Sequence, residues 1–232
     1  MKMNKRLLIL LLIIIQLPVF AQDGVLKARD GKIFDSEAFL KHRYAMPTFS
    51  NGKIILKDKT TYTGKFNVDN CSQTLRMIGE KGDTLTVASE GLVVSMSAGG
   101  YLFYKIKNRY IQILDTDGET SLGLAKQVTF GRKALTGAFG MSDDVAMMDN
   151  VVSTEDNFYY QIEKGLWSGS VPFNYREIVY IVSKGRLYSF TNSTLKKFFP
   201  DKYADIEKYI KEQKLDISKR EDASLLYKFV IR

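Results

Sequence analysis

Apolar and polar positions change rhythm three times along this chain, and each change marks a different kind of structure. Residues 7–15 are apolar without interruption behind Lys2, Lys5 and Arg6, until Gln16 and Pro18 break the run. From Lys53 the period is two. Ile54 and Leu56 alternate with Lys53 and Lys57, Tyr62 and Phe66 with Thr61, Thr63 and Lys65, and Leu75 and Met77 with Thr74 and Arg76. Such alternation, rich in β-branched and aromatic residues, predicts half-buried strands. Further strands are expected at 84–88, 91–97, 101–107, 109–115, 119–127, 158–163, 176–183 and 186–190. Asn67-Val-Asp-Asn70, Glu80-Lys-Gly-Asp83, Gly99-Gly100, Asp115-Thr-Asp-Gly118 and Lys184-Gly185 supply the turns.

From residue 193 the period becomes helical. Ser193 is placed to cap a short helix, Pro200 suits the first turn of the next, and Tyr203, Ile206 and Ile210 share a face. Ser218-Lys-Arg-Glu221 has the spacing of a capping box and opens a last helix, with Leu225, Leu226 and Phe229 expected inward. Two stretches carry neither rhythm. Residues 22–50 read as an irregular lead-in with one or two helical turns, capped by Asp35 or Ser36, carrying Phe39, Leu40 and Tyr44 and ended by Pro47. Residues 130–157 read as a long mobile loop, with Gly131, Gly137 and Gly140 among methionines and acids.

These elements predict an α+β fold: an antiparallel β-barrel or sandwich of roughly 8–11 strands, followed by two or three C-terminal helices over 193–230. Residues 22–232 form one domain in this reading. The basic start, the short apolar run and the small residues Val19 and Ala21 before Gln22 match a secretory signal peptide, residues 1–21. The run is too short for a spanning helix, so export to the periplasm or the exterior is expected, with no integral membrane segment after cleavage. An outer-membrane barrel fits poorly with C-terminal helices and charges at alternate strand positions.

Charge narrows the partners. The formal charge is +8, which invites a nucleic-acid reading, but the signs are mixed. Residues 195–222 hold eight Lys or Arg against seven Asp or Glu, the pattern of a solvated helix face and not of a one-sided phosphate-binding surface. No nucleic acid is expected.

Candidate chemistry is sparse. His42 is the only histidine and Cys71 the only cysteine. A nucleophilic triad would therefore depend on His42, which lies between Lys41 and Arg43 as a surface turn residue would. Structural zinc needs more ligands than one of each, and no metal or other cofactor is expected. Ser193-Thr-Leu-Lys196 has the Ser-x-x-Lys spacing of penicillin-interacting enzymes, without their other motifs. Asp115-Thr-Asp-Gly-Glu119 places Ile113 and Leu124 where a calcium loop needs oxygen ligands. Asp143 and Asp144 are the candidates for a carboxylate pair in glycan hydrolysis, although neighbouring acids in a polar loop are usually solvated. No catalytic residue is assigned.

Aromatic and methionine side chains are the better candidates for contact. Tyr101 and Tyr104 share a strand, Trp167 is the only tryptophan, and Met141, Met147 and Met148 lie in the 130–157 loop. These six residues are the expected binding set. An envelope protein or a glycan is the expected partner.

Gly64-Lys-Phe-Asn67 with Ser72-Gln-Thr-Leu-Arg76, Gly140-Met-Ser142, and Phe199-Pro-Asp-Lys-Tyr203 through Ile206-Glu-Lys-Tyr-Ile-Lys211 together resemble exported β-rich proteins of Bacteroidetes-type bacteria. That group has no established activity. The resemblance implies export and strands followed by helices, and it carries over no catalytic residue. The functional expectation is a non-catalytic binding or interaction protein of the bacterial cell envelope, with a carboxylate-based glycan hydrolase or a sugar-binding module as the alternative.

Overall fold

The computed structural model describes residues 24–130 and 158–231. Twelve strands form one antiparallel sheet. They are β1 (Gly24–Arg29), β2 (Lys32–Phe34), β3 (Ser50–Leu56), β4 (Thr61–Asp69), β5 (Thr74–Ile78), β6 (Thr84–Thr86), β7 (Val93–Ala98), β8 (Tyr101–Ile106), β9 (Arg109–Thr116), β10 (Ser121–Phe130), β11 (Gly169–Ser183) and β12 (Arg186–Ser189). The order is β2-β1-β11-β10-β9-β8-β7-β3-β4-β5-β6, with β12 also on β11. Among the described residues the sheet does not close, so the architecture is closer to a sandwich than a barrel. Helices α1 (Glu37–Arg43), α2 (Phe158–Glu163), α3 (Asn192–Phe198), α4 (Tyr203–Gln213) and α5 (Arg220–Val230) complete the α+β fold.

The β10–β11 ladder organises much of the core. Leu122 pairs with Ile181, Leu124 with Val179, Lys126 with Glu177, Val128 with Tyr175 and Phe130 with Phe173. Directly paired residues share a face, so this inner face is apolar at both ends and charged in the middle. Helices α3 to α5 cover one end through Leu195, Ile206, Leu226 and Tyr227. At the other end Phe39 of α1 and Tyr159 and Ile162 of α2 pack on Leu26, Val128 and Phe173. Each large apolar side chain buried this way stabilises the fold by about 1.5–3 kcal/mol before entropy is counted. In the middle, Lys126 donates to the Ala45 carbonyl at 2.9 Å, and Arg220 meets Glu177 at 3.5 Å. A third cluster, with Ile54, Phe66, Leu75, Met96 and Phe103, fills the inner face of β3–β5 and β7–β8. Here β3 and β7 approach closely: a Cβ on Gly52 would sit 2.1 Å from the Ser97 carbonyl oxygen.

Several local expectations are corrected. Residues 158–163 form α2 and not a strand. Their aromatics have high β-propensity, but Tyr159 and Ile162 are buried while Tyr160 is exposed, a spacing of three that suits a helix face. The lead-in is not irregular. Leu26 and Ala28 alternate into the core, and Asp30-Gly31 turns β1 into β2, a hairpin signal legible in the sequence. β4 runs on to Asp69, so the turn begins at Asn70. Thr191, and not Ser193, caps α3, accepting from the Thr194 amide. The capping box at α5 does not form: Ser218 Oγ donates to Asp216, and Asp222 accepts from the Asp216 amide. On α5, Ala223, Leu226, Tyr227 and Val230 point inward, while Leu225 and Phe229 are 46% and 37% exposed. Phe229 instead stacks on Tyr209, with ring centroids 4.1 Å apart.

Candidate functional site

Two regions on one face of β4 concentrate the chain's polar chemistry. Residues 61, 63, 65, 67 and 69 share that face by the period of two. Its first half is open, and its second half is covered by the segment after α1 and by α2.

The covered half is a cluster of charges. Asn67 replaces a missing strand partner: its Oδ1 accepts from the Met46 amide at 3.0 Å, and its Nδ2 donates to the Met46 carbonyl at 2.9 Å. Asp69 has no exposed side-chain surface. Its Oδ1 accepts from the Cys71 amide at 2.9 Å, which fixes the turn into β5, and its Oδ2 accepts from the Tyr159 hydroxyl at 2.8 Å. Arg43, at the end of α1, donates from Nε to the Tyr159 oxygen at 2.9 Å. Arg76 on β5 donates to both Glu163 oxygens at 2.6 and 2.7 Å, and to Thr86 Oγ1 at 2.7 Å. Tyr159 and Glu163 reach the cluster together because they lie four residues apart on α2. A close approach behind α2 holds the helix in place: Gly31, at φ +70°, would place a Cβ 2.2 Å from the Gly165 Cα.

Electrostatically this cluster is balanced, with two guanidinium groups against two carboxylates. Burial, reinforced by Cys71 and Asp69, pushes the Tyr159 hydroxyl well above its ordinary range, so it stays protonated as a donor. Burial, and then Asp69, likewise push the Cys71 thiol up. A thiol held protonated is a poor nucleophile. Arg76 Nε is buried with no partner, a cost accepted inside an otherwise paired group. What this arrangement does chemically is tie α1, α2, β4 and β5 together. A smaller group works alike: Glu90 accepts from Lys105 Nζ and the Tyr110 hydroxyl, each at 2.7 Å.

The open half continues across the sheet. Thr63, Lys53, Ser97 and Leu102 form one row in register, and Thr61, Ile55, Ser95 and Tyr104 the next. Leu102 and Tyr104 are 37% and 41% exposed. A shallow depression of about 660 Å³ lies at the β7–β8 turn end of the first row, lined by Lys53, Thr63, Ser97 and Leu102 and also by Tyr101 and the Gly99-Gly100 turn. Beyond Tyr104 the face runs into a small apolar cluster of Ile106, Ile111, Ala125 and Tyr180, built from strand residues alone.

The six residues expected to bind are not brought together. Tyr101 and Tyr104 lie on opposite faces of β8. Tyr101 is half-buried against the β3–β8 core, whereas Tyr104 projects outward. Trp167 is half-buried against the cluster under α1 and α2, and its carbonyl accepts from the Gly31 amide at 3.1 Å. Met141, Met147 and Met148 lie outside the described residues, as do Asp143 and Asp144. Sequence reasoning missed the Asp69 cluster, which draws on four separate elements, and it missed Lys53 and Leu102. For those two a signal existed, since the strand alternation assigns both to the face opposite Ile54.

Among the described residues, no group of three or more His, Cys, Asp or Glu is arranged to hold a metal, and no helix is long and apolar enough to cross a membrane. No protein-family model, curated protein or solved structure matches the chain.

Proposed function

We propose that the protein is a non-catalytic binding protein of the bacterial cell envelope, and that it makes contact through the outward face of β4, β3, β7 and β8. The observation that carries this reading is the pair Leu102 and Tyr104. Both are large and exposed, Leu102 lines the depression with Tyr104 in the next register row, and no helix among the described residues covers this sheet face. Side chains of this kind in a polar surround are what contact surfaces present. The buried ionisable groups favour the same reading, because the Asp69 and Glu90 clusters occupy their members with one another.

The test is association with the envelope fraction of the producing cell. Wild-type protein is expected to co-sediment with that fraction, and Leu102→Ser with Tyr104→Ser to abolish most of the association at unchanged thermal stability. Association that is indifferent to both substitutions would refute the assignment of this face. A sugar-binding module is the second reading, favoured by Tyr104 itself, an exposed ring with Lys53, Thr63 and Ser97 nearby to hydrogen-bond hydroxyl groups.

A further inference from the structure

Resting on the reading that this outward face is the contact surface, we propose that its ligand is an acidic polysaccharide, a chain of pyranose rings bearing carboxylates. Three features of the face lead there. The first is charge. Lys53 and Lys65 are exposed on adjacent strands, and none of the exposed outward positions of β3, β4, β7 and β8 holds Asp or Glu. Among the described residues neither lysine has an ion-pair partner, whereas Lys105, on the opposite face of β8, is bound to Glu90 at 2.7 Å. A positive field without internal neutralisation favours an anionic partner and raises its association rate.

The second feature is hydrogen-bonding capacity. Thr63 and Ser97 flank Lys53 in one register row. Hydroxyl groups that both donate and accept suit sugar hydroxyls, which do the same. The third is the Tyr104 ring, whose apolar face can cover the C–H face of a pyranose while its hydroxyl stays wet. Leu102 and Tyr104 supply the large exposed apolar surface of this face, with Val94 of β7 also 37% exposed. That is little for insertion into a bilayer, and it separates a sugar chain from an anionic lipid surface. Strands about 4.8 Å apart make a broad, regular platform, suited to an extended polymer more than to a small enclosed ligand.

Affinity electrophoresis of the protein through gels containing polygalacturonate, alginate or hyaluronate tests the inference, with neutral dextran as the control. Retardation is expected in at least one acidic polymer and not in dextran. It should weaken with added salt, and by about tenfold or more in Lys53→Ser with Lys65→Ser and in Tyr104→Ser. All three positions are exposed, and circular dichroism checks that the variants fold. Absence of retardation in every acidic polymer, equal retardation of the variants, or binding confined to vesicles of anionic phospholipid would overturn the ligand class. If the envelope association described above still depends on Leu102 and Tyr104, only the ligand class falls. If that association is indifferent to them, the contact surface falls too.

Discussion

Lys65 and Asp69 lie four residues apart on one face of one strand, and the chain treats them in opposite ways. Asp69 is fully buried, bonded to the Cys71 amide and the Tyr159 hydroxyl, with two guanidinium groups beside it. Lys65 is exposed and has no ion-pair partner among the described residues. The contrast teaches that charge has two uses here. Where α2 and the segment after α1 cover the sheet, charges are desolvated and have to be mutually satisfied, so they specify structure. Where no described element covers it, charges keep their hydration and remain available to a partner. Removing Asp69 would leave Glu163 as the one carboxylate facing Arg43 and Arg76, whereas Lys65 could be removed almost freely.

The largest expected effect breaks the covered half. Asp69→Ala leaves two guanidinium groups facing Glu163 alone and strips the Cys71 amide and the Tyr159 hydroxyl of their acceptor, and should cost about 3–5 kcal/mol in urea unfolding. The same substitution should open Cys71, which is buried in the native protein, to a thiol reagent without denaturant. Tyr159→Phe deletes one hydroxyl that bridges Asp69 and Arg43. It should cost about 1–3 kcal/mol and speed hydrogen exchange in α2 more than in β10.

A smaller effect separates a hydrogen-bonded carboxylate from a free one. Burial alone would raise the Asp117 carboxyl, but the amides of Thr120 and Glu119 and the Thr120 hydroxyl outweigh it and hold it below the ordinary range. The ionised form is therefore favoured by folding. Its contribution is present above the unfolded value near pH ~3.9 and is lost as pH falls through the lower folded value. The stability gap between wild type and Asp117→Asn should be widest at neutral pH and close below about pH 4. The smallest effect lies on the open half: Lys53→Ser with Lys65→Ser should change stability by no more than about 0.5 kcal/mol. A loss comparable to that of Asp69→Ala would erase the distinction between the two regions.

Local periodicity made the open half legible and the covered half not. Lys53, Ile54 and Leu56, or Thr63 and Phe66, display their faces in the sequence because a strand alternates whatever lies around it. Asp69 gives no such sign. Its burial follows from α2, whose aromatic run imitates a strand, and from Arg43 and Arg76, which are 33 positions apart and meet only in the folded chain. The same reason explains α5. Its helical period was plain, but which stripe faces the sheet depended on Tyr227 meeting Thr120, hydroxyl to hydroxyl at 2.8 Å. Sequence patterns report what a segment does alone, and the Asp69 cluster exists only between segments.

The most direct test of the central claim sets one variant of each half side by side in the envelope co-sedimentation assay, with thermal unfolding of both. Tyr104→Ser is expected to lose envelope association at unchanged melting temperature, and Tyr159→Phe to keep it at a lowered one. A Tyr104→Ser protein that still associates fully, beside a Tyr159→Phe protein that does not, would contradict the account.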